Sequence, residues 1–178
     1  MPRTIDVVPY DPAWPEKYEQ EARLITQLFT DLLVSIHHIG STAIPGIQAK
    51  PVIDILVVVQ NIDQVDDFNP AMIQLGYTPR GEYGIPGRRY FKKDAQGFRS
   101  HHVHVYPQGH KNIALHLNFR DYLRAHHEKA QAYSKLKEKL AQQFREDSQG
   151  YTEAKTDFIE GINRRAAIWR EQQTTGDG

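Results

Sequence analysis

The sequence predicts an α+β domain: a helix first, then a mainly antiparallel sheet, then paired helices. Three observations carry that expectation. Trp14, Tyr18, Ala22, Ile25, Phe29 and Leu32 recur at three- and four-residue steps and make one apolar helical face. Val52 to Val59 is almost wholly apolar and rich in β-branched residues, the composition of a strand covered on both faces. Tyr122, Leu123, Ala130, Tyr133, Leu136, Leu140 and Phe144 keep helical spacing near the C-terminus.

Taken in order, Asp11-Pro12 opens the first helix, which the pattern carries to about Leu33. Val34 to Ile39 reads as a short strand. Gly40 to Pro51 is rich in small residues and turn formers and reads as a loop into the central strand Val52 to Val59. Asp66 to Leu75 reads as a helix stopped by Gly76. Arg88 to Lys92 and Phe98 to Tyr106 alternate about the turn Lys93 to Gly97, a β-hairpin. Ile113 to Asn118 alternates again and is expected as a further strand. From Phe119 the chain reads as helix until Ser148-Gln149-Gly150 breaks it, and Tyr151 to Trp169 forms the last helix.

The 178 residues suffice for one domain with a real core, spanning 1–178 without repeat or linker. Lys plus Arg and Asp plus Glu number 22 each. That balance argues against nucleic acid as the main partner. With no cysteine, disulfides and thiolate metal sites are excluded. Without an apolar leader or a spanning run, the expectation is a cytoplasmic protein with no membrane partner.

HIGSTAIPGIQAKPVIDILVVV, residues 38–59, is the most informative stretch. Gly40 and Ser41 form a turn that a ligand backbone or phosphate can approach closely. Asp54 then lies in an apolar strand, on the face of Val52, Leu56 and Val58. A carboxylate there can hold Mg²⁺ bridging to phosphates, or it pairs with Lys50 or an arginine. His102 and His104 share a strand face with Tyr106. Two imidazoles at that spacing can ligate one transition metal together with Asp54, grip phosphate when protonated, or simply bond to neighbours. Lys50, Arg88, Arg89 and Arg120 lie at strand ends or loops and suit an anion such as a triphosphate. Tyr151 and Lys155 share one face of the last helix.

The stretch 38–59, together with RRYF, HHVHVY, LNFRDYLRAH, AYSKLKEKLA and YTEAKTDFI, resembles the GrpB family over nearly the whole chain. The resemblance implies a nucleotidyltransferase-like fold, similar to the polymerase-beta superfamily, in which a Gly-Ser turn precedes a strand bearing Asp-x-Asp. Gly40 and Ser41 match the turn and Asp54 the first acid; the second acid position is Leu56. The resemblance implies a site with Asp54 as catalytic acid and metal ligand. Gly40, Ser41, Lys50, Arg89, Arg120 and Lys155 would bind nucleotide phosphate, and His102 and His104 would join Asp54 on a divalent metal. The expected partner is a nucleotide or other small anion. Three functions fit: nucleotidyl transfer or binding at Asp54, a non-catalytic nucleotide-sensing or interaction module, and other metal-dependent chemistry at Asp54, His102 and His104.

Overall fold

The computed structural model describes residues 6–176, so residues 1–5 and 177–178 of the expected domain lie outside the described residues. Among the described residues, five α-helices and a five-stranded mixed sheet make an α+β architecture. Helix α1 (Trp14–Phe29) leads into β1 (Leu33–Ile39), and the Gly40 loop leads into β2 (Ile53–Val59). After α2 (Asn69–Gln74) come β3 (Tyr77–Pro79), β4 (Arg89–Ala95) and β5 (Phe98–Pro107), then α3 (Lys111–Ala125), α4 (His127–Gln143) and α5 (Ser148–Gly176). The strand order is β1-β2-β5-β4-β3. Every neighbouring pair is antiparallel except β2 and β5, which run parallel at the centre.

Register sorts the side chains onto two faces, because partners across a ladder point the same way and neighbours along a strand point oppositely. Ile53, Ile55, Val57 and Val59 of β2 join Val103 and Val105 of β5 and Phe91 of β4 on one face, packed against Trp14, Ile25 and Phe29 of α1. This is the principal core. The other face carries Asp54, Leu56 and Val58 of β2, His102, His104 and Tyr106 of β5, and Tyr90 of β4. Its apolar end, Ile39, Leu56, Val58 and Tyr106, is covered by Ile113 and Leu117 of α3. Its polar end stays only partly covered.

The structure corrects several expectations. Ile113 to Asn118 is the start of α3, not a strand. Ile113, Leu115 and Leu117 alternate in sequence, but Ile113 and Leu117 are also one helical turn apart and both meet the sheet, while Leu115 is 42% exposed. The helix expected from Phe119 onward is two helices, parted at His126 with its extended φ of -123°. The break expected at Ser148 to Gly150 falls earlier, at Phe144 to Asp147. The Asp147 carboxylate accepts from the Gly150 amide at 2.9 Å, so Ser148 to Gly150 is the first turn of α5. The first helix stops at Phe29 and continues as a 3₁₀ turn over Thr30–Leu32. The hairpin turn tightens to Gln96-Gly97, both at positive φ (55° and 81°), because β4 runs on to Ala95.

Candidate functional site

The loop from Gly40 to Pro51 is pinned at both ends and in the middle. At its start, His38 Nε2 donates to Thr42 Oγ1 at 2.9 Å, and that hydroxyl donates to the Val52 carbonyl at 3.4 Å. Burial, then the nearby Arg124, pushes the His38 imidazole down to about 4, which keeps it a neutral strut. Ile44 and Ile47 are fully buried among Tyr122, Ala130, Tyr133 and Ile162 of the three C-terminal helices. Arg124 Nε donates to the Ala43 carbonyl at 2.9 Å, and Ser134 Oγ accepts from the Gln48 amide at 2.9 Å. The sheet and the helical layer therefore fix the Gly40-Ser41 turn between them.

Gly40 has φ of 76°, and a Cβ there would stand 2.7 Å from Asp54 Oδ2. Both the backbone angle and the close approach of the acid require glycine. Asp54 Oδ1 faces the other way, 3.2 Å from His102 Nδ1 and 3.4 Å from His104 Nε2. The far nitrogen of each ring meets an arginine: His102 Nε2 is 3.4 Å from Arg99 NH1, and His104 Nδ1 is 3.4 Å from Arg88 NH1. A guanidinium only donates, so the tautomer that satisfies both contacts of each ring turns its N–H toward Asp54. Burial alone would raise the Asp54 carboxyl, but the hydrogen bonds from His102 and His104 outweigh it and hold the group well below the usual carboxylate range.

On the Gly40 side of Asp54, three lysines gather. Lys50 Nζ and Lys155 Nζ lie over the same Tyr151 ring, 4.7 and 4.6 Å from its centroid, and Lys137 Nζ lies 4.7 Å from the Tyr133 centroid. The Ser41 side chain lies close enough to the Tyr133 hydroxyl to act on it, which relates the cluster to the turn. Lys137 is only 2% exposed, and its Nζ has no hydrogen-bond partner among the described residues. Burial, then repulsion from Lys155 and Lys50, pushes the Lys137 ammonium down to about 7. Burial and Lys50 likewise push Lys155 down to about 8, with Asp54 opposing. Burial lowers Lys50 against the same opposition from Asp54.

Of the residues expected at the site, Gly40, Ser41, Lys50, Asp54, His102, His104 and Lys155 come together around Asp54. Two do not. Arg89 follows Arg88 along the chain and so points to the opposite face, where its Nε binds Asp66 at 2.7 Å and NH2 reaches Asp63 at 3.6 Å. Arg120 turns to Asp121 at 2.8 Å and donates to the His38 carbonyl at 3.2 Å, bracing the end of β1. Sequence reading missed Lys137 and Tyr133. Their signal is the helical step from Tyr133 to Lys137, the same tyrosine-lysine spacing as Tyr151 to Lys155. Leu56, at the second acid position, is fully buried beside Ile39, Val58 and Tyr106. Among the described residues, no group of three or more His, Cys, Asp or Glu side chains is arranged to hold a metal ion. A groove of about 560 Å³ between α3 and α5, lined by Leu117, Asp121 and Arg170, contains none of these groups. No helix among the described residues is long and apolar enough to cross a membrane.

Comparison with known proteins agrees with this layout. The chain is 41% identical to the UPF0157 protein YqkA of Bacillus subtilis (strain 168) over 176 residues, 99% of this chain and 51% of YqkA, so it spans about half the length of that relative. The crystal structure of conserved protein GrpB from Enterococcus faecalis matches with a TM-score of 0.88 at 38% identity, covering 92% of this chain and 99% of that one. The Cid1 poly(U) polymerase, in a crystal structure with MgGTP bound, matches with a TM-score of 0.52 at 16% identity over 76% of this chain and 44% of Cid1. That last likeness is one of fold, and the fold is nucleotidyltransferase-like. A family model described as GrpB protein matches residues 4–165. The chain belongs to the GrpB family.

Proposed function

We propose that the residues around Asp54 bind a nucleoside triphosphate, with the polyphosphate against Lys50, Lys137, Lys155 and the Gly40-Ser41 turn. One observation carries this reading: the Lys137 ammonium is buried without a hydrogen-bond partner among the described residues, beside two further lysines. An unpaired buried charge is costly and either neutralises or finds a counter-ion. No single carboxylate of the protein offsets three ammonium groups, whereas a multiply charged phosphate chain does. The MgGTP bound by Cid1, a protein of the same fold, supports the ligand class.

The fold also implies a divalent metal, and the side chains present fit it unevenly. For a transition metal, Asp54, His102 and His104 are the candidate ligands, but both imidazoles already contact the carboxylate and each faces an arginine on its other side, so a metal competes with contacts made within the chain. Mg²⁺ arriving on the phosphates fits better. It accepts one carboxylate oxygen alongside phosphate oxygens and water, and Asp54 Oδ2 is the atom turned toward the glycine turn. When bound, it supplies charge neutralisation of the phosphates.

Leu56 favours nucleotide binding or sensing over two-metal transfer, since a buried leucine supplies no ligand. Nucleotidyl transfer remains the second reading, carried by the Gly40-Ser41 turn packed against Asp54. Titration calorimetry with the four ribonucleoside triphosphates, with and without Mg²⁺, tests the first reading. Saturable binding that drops about tenfold or more in Lys155→Met is expected. No binding to any of the four, in a protein with a native melting curve, contradicts it. Pyrophosphate release on incubation with the bound nucleotide and candidate acceptors separates transfer from binding alone.

A further inference from the structure

The segment from Arg80 to Arg88, between β3 and β4, presents a tyrosine that packing does not demand. Tyr83 is 65% exposed, and its backbone sits at φ of 48°, a left-handed conformation that is uncommon for a bulky residue. Gly81 and Gly84 on either side have no atom within 4 Å of where a Cβ would stand, so crowding does not force the shape. Arg88 holds it instead. That side chain is only 7% exposed, and it donates from Nε to the Glu82 carbonyl at 3.2 Å and from NH2 to the Tyr83 carbonyl at 2.8 Å. The Gly87 amide adds a bond to the Glu82 carboxylate at 2.6 Å. A strained residue kept in place by a buried arginine points to use rather than accident.

The strain has a visible product. The Tyr83 ring lies flat on Tyr90, with centroids 5.2 Å apart and planes 16° apart, and much of the ring stays open to solvent. Tyr90 is 5.6 Å from the His102 ring and 5.3 Å from the His104 ring, and both imidazoles bind Asp54. From Asp54 outward the order is therefore imidazoles, Tyr90, Tyr83, solvent. The strand order puts these rings on the β5 and β4 side of Asp54, while the Gly40-Ser41 turn leaves the end of β1 on the other side. We infer that Tyr83 is the platform of a second binding site, one that takes the planar heteroaromatic ring of a nucleoside across Asp54 from the polyphosphate. The placement across Asp54 rests on the lysine cluster holding phosphate, as proposed above. A preformed two-ring stack can accept a third ring with little ordering cost, and ring stacking tolerates different bases.

Inorganic tripolyphosphate has the charge for the lysines and no ring, so it separates the two sites. Adenosine and uridine are titrated into the protein by calorimetry, with and without saturating tripolyphosphate. Saturable nucleoside binding is expected in both conditions. Tyr83→Ala should weaken it by about tenfold or more, and Tyr83→Phe should keep it. Tripolyphosphate affinity should be the same in all three proteins. Nucleoside binding that is absent, or that survives Tyr83→Ala in a variant with native circular dichroism, overturns the site. A nucleoside displaced by a nucleoside triphosphate but not by tripolyphosphate places the ring in the same nucleotide and overturns the second-ligand assignment. Failure of tripolyphosphate to bind removes the polyphosphate reading alone, because the nucleoside titration is also read without it.

Discussion

Lys93 and Lys137 are both held against tyrosine rings inside this protein, and they are treated in opposite ways. On the α1 side of the sheet, Lys93 Nζ is 5.3 Å from the Tyr77 centroid and 2.9 Å from Glu21 Oε1. The same carboxylate oxygen accepts from the Tyr77 hydroxyl at 2.7 Å, so charge and hydrogen bonds close within the chain. On the opposite side, beside Asp54, Lys137 is more deeply buried, lies 4.7 Å from the Tyr133 centroid, and has no hydrogen-bond partner among the described residues. The first charge is satisfied within the chain. Under the proposed function, the second is completed by an anionic ligand.

The largest perturbation expected is Leu56→Asp, which places an acid where Ile39, Val58 and Tyr106 pack, under Ile113 and Leu117. It should cost about 4 kcal/mol of stability by chemical denaturation, from lost packing and a buried charge. If the missing acid limits metal binding, Mg²⁺ affinity should rise in the folded variant. Unchanged Mg²⁺ affinity would place the site outside the two-metal arrangement. Next in size is Glu21→Gln, which leaves Lys93 without its counter-charge. A loss of about 3 kcal/mol is expected, with tripolyphosphate affinity untouched. Lys137→Met should do the reverse. It should stabilise the ligand-free protein by about 2 kcal/mol while weakening tripolyphosphate binding. A destabilised Lys137→Met variant would erase the contrast between the two lysines. The smallest effect is expected of His104→Ala, about 1 kcal/mol, since His102 still binds Asp54 Oδ1.

Much of this architecture is legible in the sequence, for a local reason. The β-branched run at Val52 to Val59, the alternation around Gln96-Gly97 and the helical face from Trp14 each repeat one period over enough residues to be unambiguous. Ile113 to Leu117 fits two periods at once, and only the sheet beneath α3 decides between them. The site divides along the same line. Gly40, Ser41 and Asp54 are visible because the turn and the buried acid sit close together in sequence. Arg89 misleads because one step along a strand reverses the face, and Arg88, its neighbour, is the arginine that reaches His104. Lys137 is invisible because its meaning depends on Lys50 and Lys155, which come from a loop and another helix, and on burial that no local pattern announces.

The central claim is that the lysine cluster is an anion site whose charge is incomplete without its ligand, and the pH dependence of tripolyphosphate affinity tests it most directly. Burial and mutual repulsion hold Lys137 at about 7 and Lys155 at about 8, below the ordinary lysine value. In that interval the folded, ligand-free protein binds fewer protons than the unfolded chain. Its stability therefore rises as pH rises from about 7 toward the ordinary lysine value, and the destabilising effect of charging Lys137 is fully present only below about 7. A bound anion favours the charged amines, so binding takes up protons and should weaken as pH rises from about 6 to about 9. Tyr133, Tyr151, Lys50 and Asp54 also face the cluster, and the phosphate titrates as well, so the wild type is compared with the Lys137→Met, Lys155→Met double variant in the same buffers. The account predicts a steep loss of affinity with rising pH in the wild type and a much shallower one in the variant. Equal slopes in the two proteins, or affinity that is flat or rises with pH in the wild type relative to the variant, would contradict it.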